Sequence, residues 1–255
     1  MQNQSCSPST FPPAFWEFVG RHRNDDVAKL RLKFHGKGEA WTDSAITHIE
    51  CLKKCGKKFG SLQPRLMLSP LSVEQATSES VALLHASIAK RVAGNARLML
   101  DMTCGMGIDL MAMQNALGCQ AIGIEMNPHL ASATAYNFSD KRDVEILCDD
   151  SVAWLNRYDG APIDLVFIDP ARRGSAGQRV FNIHHCQPDV SVLMPVLEVK
   201  SRVVIVKLSP MLDVTQTLRD LPNTTELHLI DEGGECREML AVIKMGQDAA
   251  NTPPD

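Results

Sequence analysis

The sequence predicts an α/β fold: a doubly wound, seven-stranded sheet with an antiparallel hairpin at one edge, preceded by a helical N-terminal segment. Three observations predict it. Short Val/Ile/Leu-rich runs recur from residue 97 onward with helix-period segments between them, the pattern of buried parallel strands joined by helices. The first such run ends in an acid and leads through a Gly-rich turn into a helix. The last two runs lie close together in sequence, as the arms of an antiparallel hairpin do.

Residues 1–13 read as a loose, Pro/Ser-containing tail. From Phe15 to about Leu62, apolar residues recur at helical spacing in three groups: Phe15, Phe18 and Val19; Val27, Leu30 and Leu32; Ile46, Ile49 and Leu52. Asp43 is placed to N-cap the third. Gln63–Leu71, with Pro64 and Pro70, reads as a linker. Ser72-Val-Glu-Gln75 has the form of a capping box, opening a helix with Val81, Leu84, Ile88 and Val92 on one face and closed by Gly94-Asn95. Strands are expected at Arg97–Asp101, Ala121–Glu125, Val144–Leu147, Leu165–Asp169, Val203–Leu208, Glu226–Ile230 and Glu238–Lys244. Helices are expected at Ile108–Leu117, Pro128–Phe138, Ser151–Tyr158 and Asp189–Glu198. Residues 246–255 read as a frayed tail. The expected division is therefore a basic helical segment over 1–71, the α/β unit over 72–245, and the tail.

Composition excludes several classes. No apolar run approaches the ~18–20 residues that span a bilayer. Met1–Pro13 has neither a basic n-region nor an apolar h-region, so a cytoplasmic chain is expected. Several of the eight cysteines lie in apolar strand-like runs, as reduced core thiols do. Cys51 and Cys55, with His48 nearby, lack a second Cys/His pair to complete a zinc site, so no metal is expected. The net charge of −4 is uneven: residues 1–95 hold 13 Lys/Arg against 8 Asp/Glu, and the remainder 13 against 22. The basic excess is densest at Lys53, Lys54, Lys57 and Lys58, a cluster able to displace counterions from a polyanion or to serve simply as a solvated helix end.

Chemistry concentrates at the strand ends. Asp101-Met-Thr-Cys-Gly105-Met-Gly107 follows the first strand, and glycines there let a ligand approach the backbone. The nicotinamide fingerprint would need a third glycine, and Asp101 would repel a pyrophosphate. No P-loop string is present. A cationic, phosphate-free ligand with an amino group suits Asp101 better, and S-adenosylmethionine is one. Glu125, 24 residues on at the second strand end, can accept from both ribose hydroxyls. Asp150, after the third, can take an adenine amino group or cap a helix. Asp169-Pro170 ends the fourth strand, where a carboxylate and a carbonyl can orient an amino nucleophile toward an electrophilic methyl group. Arg172 and Arg173 follow, suited to phosphate or carboxylate. The long loop to Pro188 reads as a substrate-facing lid, with His184 and His185 as exposed loop residues. Lys207, at the fifth strand end, can contact substrate or pair with Asp169.

Together, Asp101-x-x-x-Gly105-x-Gly107, Glu125, Asp150 and Asp169-Pro170 resemble the Rossmann-like class I S-adenosylmethionine-dependent methyltransferases. More narrowly, Leu71–Glu79, Phe167–Arg173 and Lys207–Asp213, with Gln187–Val190 and Asn24–Val27, resemble the family whose methyltransferase domain is often followed by a THUMP-like domain. The resemblance covers roughly residues 15–244. It implies S-adenosylmethionine as donor, Asp101, Thr103, Gly105 and Gly107 around its methionine end, Glu125 at the ribose and Asp150 at the adenine. It further implies that Gln75 to Ser78 close over the cofactor, as in trimethylguanosine-synthase-like enzymes, and that the substrate is RNA, with a guanine exocyclic amine as one acceptor. Thr103 stands where the common loop has its first glycine, a change tolerated in RNA-modifying relatives. After the α/β unit no segment of THUMP-like size remains, so acceptor binding is expected to fall to the basic N-terminal segment, or the substrate differs.

Alternatives narrow on chemistry. Amino-methylating DNA enzymes place an aromatic after the Pro-Pro pair to stack an extruded base, whereas Ala171-Arg172 follow Pro170. Carbon-5 pyrimidine methylation needs a thiolate at the active edge, and Leu208–Met211 offers none. A non-catalytic S-adenosylmethionine- or RNA-binding module, or a methyltransferase of small molecules or proteins, stays open.

Overall fold

The computed structural model describes residues 11–172 and 183–245. Three helices lead the chain: α1 (Pro13–His22), α2 (Val27–Phe34) and α3 (Thr42–Cys55). Asp26 caps α2, its side chain accepting from the Lys29 N–H at 2.9 Å. The expected cap of α3 is corrected: the helix begins at Thr42 behind an uncapped Trp41, and Asp43 lies inside the first turn. There its charge still faces the positive helix end. One face of α3 (Ala45, Ile46, Ile49) packs with Phe15 and Leu30, while Cys51 and Cys55 on another join the main core. Burial pushes the Cys51 thiol up to about 12 and lowers His48 to about 4. The ring of His48 accepts the Met67 N–H at 3.2 Å, so all three are inert core groups.

The single helix expected from Ser72 is two. Ser69 is the cap: its hydroxyl accepts from the Ser72 N–H at 3.1 Å and opens α4 (Pro70–Gln75). Pro70 sits in the first turn, where its missing N–H costs nothing. Ala76 and Ser78 are extended, and α5 (Glu79–Ala93) starts anew. Restarting after this break rotates the buried face to Val81, Ala82, His85, Ala86, Ile88 and Ala89, leaving Leu84 exposed. Gly94 ends α5 in right-handed backbone (φ −60°), not the left-handed cap its identity predicts.

From here strands and helices alternate. In chain order they are β1 (Leu98–Asp101), α6 (Ile108–Leu117), β2 (Gln120–Glu125), α7 (Pro128–Asn137), β3 (Val144–Cys148), α8 (Ser151–Arg157) and β4 (Ile163–Ile168). A short antiparallel pair follows, β5 (Ala171–Arg172) with β6 (Cys186–Gln187). Then come α9 (Val190–Lys200), β7 (Ser201–Leu208), α10 (Val214–Asp220), β8 (Thr224–Glu232) and β9 (Glu235–Lys244). Every expected strand is present. Helix α10 was not expected, although Asp213, which caps it, and Gln216 three residues later carry the signal.

The main sheet has the order β3-β2-β1-β4-β7-β9-β8. Its first five strands are parallel, and β9 runs antiparallel to both β7 and β8. Successive residues point to opposite faces. Met99, Leu165 and Ile205 therefore pack with α5 and α6, and Leu100, Val166 and Val204 with α8 and α9. The chain reverses its direction of winding between β1 and β4, the place where open α/β sheets form a ligand crevice. The N-terminal helices rest on α7, where Trp16 stacks on Tyr136 and the Asn137 amide bonds both backbone groups of Leu66. Among the described residues no helix is long and apolar enough to cross a membrane, and no group of three or more His, Cys, Asp or Glu is arranged to hold a metal.

Candidate active site

A cavity of about 590 Å³ opens at the carboxyl ends of β1, β2 and β4, a size typical of small-molecule sites. Asp101, Glu125, Asp150 and Asp169 all line it, so four acids from successive strand ends converge on one space. Gln75, the last residue of α4, and Ala76 and Thr77 in the break before α5 also line it. A continuous helix would have carried these residues elsewhere.

The floor is organised by backbone amides. Asp101 is 1% exposed and accepts the Thr103 N–H at 3.0 Å. Burial pushes its carboxyl well above the usual range, with Asp109, Asp169 and Glu125 adding to that. The Thr103 hydroxyl accepts the Asp169 N–H at 2.7 Å, tying the β1 loop to the β4 loop. A glycine at 103 would lack this tie. Glu125 accepts from Gly105 N–H through one oxygen (3.1 Å) and from Asn127 N–H through the other (2.7 Å), with lone pairs to spare. Asp150 caps α8 through one oxygen, Oδ1, which accepts from Val152 and Ala153. Capping and cavity lining are thus compatible for this residue.

The two loop glycines differ. At Gly105 (φ +53°) an added Cβ would meet only the Thr103 carbonyl oxygen, at 3.9 Å, which leaves room for a ligand. Gly107 (φ +80°) does not line the cavity. An added Cβ there would come within 2.5 Å of the buried Phe138 ring and 3.2 Å of Thr134. Gly107 packs against α7 and, unlike Gly105, does not line the cavity to which the sequence assigned it.

Several other expected residues lie outside the first cavity's lining. The Ser78 hydroxyl donates to Glu232 at 2.6 Å and borders a second cavity, of about 490 Å³. Pro170 is buried and lies outside the first cavity's lining. Lys207 pairs with Asp169 at 2.9 Å, the second of its two expected roles. Arg172 contributes backbone to β5. Arg173, and most of the loop read as a lid, lie outside the described residues. His184 and His185 are exposed, away from the cavity lining. The basic cluster is largely committed within the chain. Lys53 bonds the Asp25 carbonyl, Lys54 pairs with Glu74 at 2.7 Å, and Lys58 donates to the carbonyls of Val73 and Glu74.

Behind Asp169 lies a polar network that sequence reasoning missed. Lys207 also donates to the Thr77 hydroxyl at 3.1 Å, and Thr77 donates to Asp109 at 2.6 Å. Asp109 meets His85 Nδ1 at 2.7 Å, Glu238 meets His85 Nε2, and Glu238 returns to Lys207 at 3.5 Å. Burial opposes charge on Lys207, but Asp169, Asp109 and Glu238 outweigh it and hold the ammonium above its ordinary value. Asp169 is pushed up by burial and by Asp109 and Glu238, against the pull of Lys207. Asp109 had a sequence signal, an acid in the first turn after the glycine loop. His85 and Glu238, 153 residues apart, had none.

Sheet order, crevice and strand-end carboxylates define a Rossmann-like fold of the methyltransferase type. No family profile and no curated protein sequence matches the chain. Among solved structures, a candidate methyltransferase from Porphyromonas gingivalis W83 is 26% identical with a TM-score of 0.76. That likeness covers 92% of this chain and 59% of the other, so the chain spans about three-fifths of that protein's length. An RNA methyltransferase from Salinibacter ruber, solved with S-adenosyl-L-homocysteine, is 16% identical with a TM-score of 0.46 over 71% of this chain and 97% of that one. The O-methyltransferase TomG from Streptomyces achromogenes, solved with S-adenosylmethionine, is 17% identical with a TM-score of 0.47 over 77% and 90%.

Proposed function

We propose that the chain is an S-adenosylmethionine-dependent methyltransferase whose site is the crevice at the β1/β4 reversal. One observation carries the reading: Asp101, Glu125, Asp150 and Asp169 come from four successive strand ends and line one cavity. The likeness to the Porphyromonas gingivalis protein supports it. The residues fit the cofactor. The buried Asp101 carboxyl suits an amino group, Gly105 leaves room beside it, Glu125 keeps acceptor capacity for ribose hydroxyls, and Asp150 keeps its second oxygen for an adenine amine. Gln75 covers the site from the α4 side, and Thr103 holds the Asp101 and Asp169 loops together.

S-adenosylmethionine, when bound, supplies an electrophilic methyl group on a sulfonium. The protein's own contribution is position. Asp169, fixed by Lys207 and by the Thr103 hydroxyl, accepts a hydrogen bond from the acceptor's amino group and aims its lone pair. Pro170, buried outside the cavity lining, sets the turn that presents Asp169. The acceptor we propose is RNA, at a guanine exocyclic amine, with Arg172 and Arg173 on its phosphates. This part rests on the sequence resemblance to the THUMP-associated family. The internal bonds of Lys53, Lys54 and Lys58 weigh against the basic N-terminal cluster as the main RNA contact.

Calorimetric titration with S-adenosyl-L-homocysteine tests the cofactor. Wild type should bind in the micromolar range, and Asp101→Ala and Glu125→Ala should not. A folded wild type without affinity would overturn the reading and leave a binding module of another kind. Transfer of a labelled methyl group to RNA, but not to DNA, tests the acceptor.

A further inference from the structure

His85 is 0% exposed, yet both its ring nitrogens face carboxylates: Nδ1 meets Asp109 at 2.7 Å and Nε2 meets Glu238. A neutral imidazole has one N–H and one lone pair, and a lone pair aimed at a carboxylate is repulsive. Two carboxylates are both satisfied only by a ring carrying two protons. Charged groups reach this ring from α6 (Asp109) and β9 (Glu238), with Lys207 of β7 beyond Glu238. On the β4 side stands the uncharged Phe167 ring, 5.9 Å away.

The same carboxylates close a ring of bonds. It runs from His85 through Asp109 and Thr77 to Lys207 and back through Glu238, and Lys207 hands it on to Asp169. Its members sit on five separate pieces of the chain, the α4–α5 segment, α5, α6, β7 and β9. Thr77 and Asp109 line the first cavity beside Asp169, and Thr77, Lys207 and Glu238 line the second. The ring is therefore the wall between the two spaces.

We propose that His85 is a positioning residue: as a buried, doubly protonated imidazolium it fixes Asp109 and Glu238, and through them the Thr77 segment and the Lys207–Asp169 pair at the methyl-transfer edge. This rests on the cofactor reading above. Burial works against the charge, but hydrogen bonds to the two carboxylates outweigh it and raise the ring to about 9 from an ordinary 6.5. At neutral pH the network is charged and locked. Once the ring loses a proton, one carboxylate faces a lone pair and the wall loosens.

The test begins with nitrogen-15 spectra of the full chain labelled at histidine, His85 being assigned by its absence in His85→Gln. Both ring nitrogens should be protonated at pH 7.5 and lose a proton near pH 9. A neutral ring at pH 7.5 overturns the proposal. S-adenosyl-L-homocysteine titrations across pH 7–10 then read the wall. Affinity of His85→Gln at pH 7.5 should be about tenfold weaker, roughly the weight of one proton-linked unit. Its further fall toward pH 10 should be shallower than that of wild type. Titration of the ligand's own amino group is common to both and drops out of the comparison. Glu238→Gln should move the pH at which affinity falls to lower values, and it decides the matter if His85→Gln does not fold. Variants that match wild type at every pH refute the positioning role and leave the cofactor reading intact. A wild type that does not bind refutes both.

Discussion

Replacing each loop glycine by alanine separates two roles that look identical in sequence. At Gly105 and Gly107 alike, left-handed backbone costs an alanine about 1–2 kcal/mol. Lower freedom of the unfolded chain offsets roughly 0.4–1 kcal/mol of that. Gly105→Ala stops there, because its Cβ meets nothing closer than 3.9 Å. At Gly107 the Cβ would sit 2.5 Å from Phe138, a ring 2% exposed with nowhere to go. Overpacking of this kind adds about 1–3 kcal/mol. The expected losses are then about 1 kcal/mol for Gly105→Ala and about 3 kcal/mol for Gly107→Ala. For a chain of this size they become Tm falls of roughly 2–4 °C and 6–12 °C. Ligand affinity should run the other way. Gly105→Ala should weaken S-adenosyl-L-homocysteine binding at least about tenfold, or ~1.4 kcal/mol, while Gly107→Ala, measured well below its Tm, stays within about threefold. Scanning calorimetry and titration of the two variants suffice. Equal Tm losses, or weaker binding confined to Gly107→Ala, would refute the reasoning.

Three further outcomes follow from the site's electrostatics. Lys207→Met leaves Asp169 without its cation and Glu238 with only that of His85. Breaking a buried pair costs up to about 3–5 kcal/mol, but the Asp169 side chain keeps 40% of its surface, so ~2 kcal/mol is expected. The deficit should shrink at pH 5, because Asp169, already raised by burial, takes up a proton more readily once Lys207 is gone; urea denaturation at pH 5 and 7.5 checks this, and an equal or larger loss at pH 5 counts against it. His85 is raised from 6.5 to about 9, so its contribution to stability is complete below pH 6.5 and is lost as pH rises through 9. Thermal melts between pH 7 and 10 should therefore fall more steeply for wild type than for His85→Gln. Asp101→Asn keeps an acceptor for the Thr103 N–H and removes a charge that burial opposes. Its Tm should equal or exceed that of wild type while ligand affinity drops at least about tenfold. A lower Tm with affinity retained would show that Asp101 serves the fold and not the ligand.

Much of this molecule is local chemistry and was legible in the chain. Continuous Val/Ile/Leu runs specify strands buried on both faces, and all seven expected strands of the main sheet are present. An acid at a strand end followed by Gly105 specifies a crevice-facing loop, and Asp101, Glu125, Asp150 and Asp169 do share one cavity. The misreadings fall where two local signals compete. Ser72-Val-Glu-Gln75 fits a capping box, but Ser69 followed by Pro70 makes the better helix start, and the helix then breaks at Ala76. Gly105 and Gly107 carry the same sequence signal, and only the Phe138 ring tells them apart.

The sequence by itself determined the strands of the main sheet and most of the helices between them, the placement of acids at strand ends and the lack of a phosphate-binding loop, because each depends on residues within a few positions of one another. Only the tertiary structure decided that His85, Asp109, Lys207 and Glu238 form one charged ring behind Asp169, and that most of the lysine cluster is already bonded within the chain. The physical reason is distance along the chain. A hydrogen bond between residues 153 apart leaves no periodicity or spacing to read, and a buried charge is tolerable only once folding has brought its partners to it.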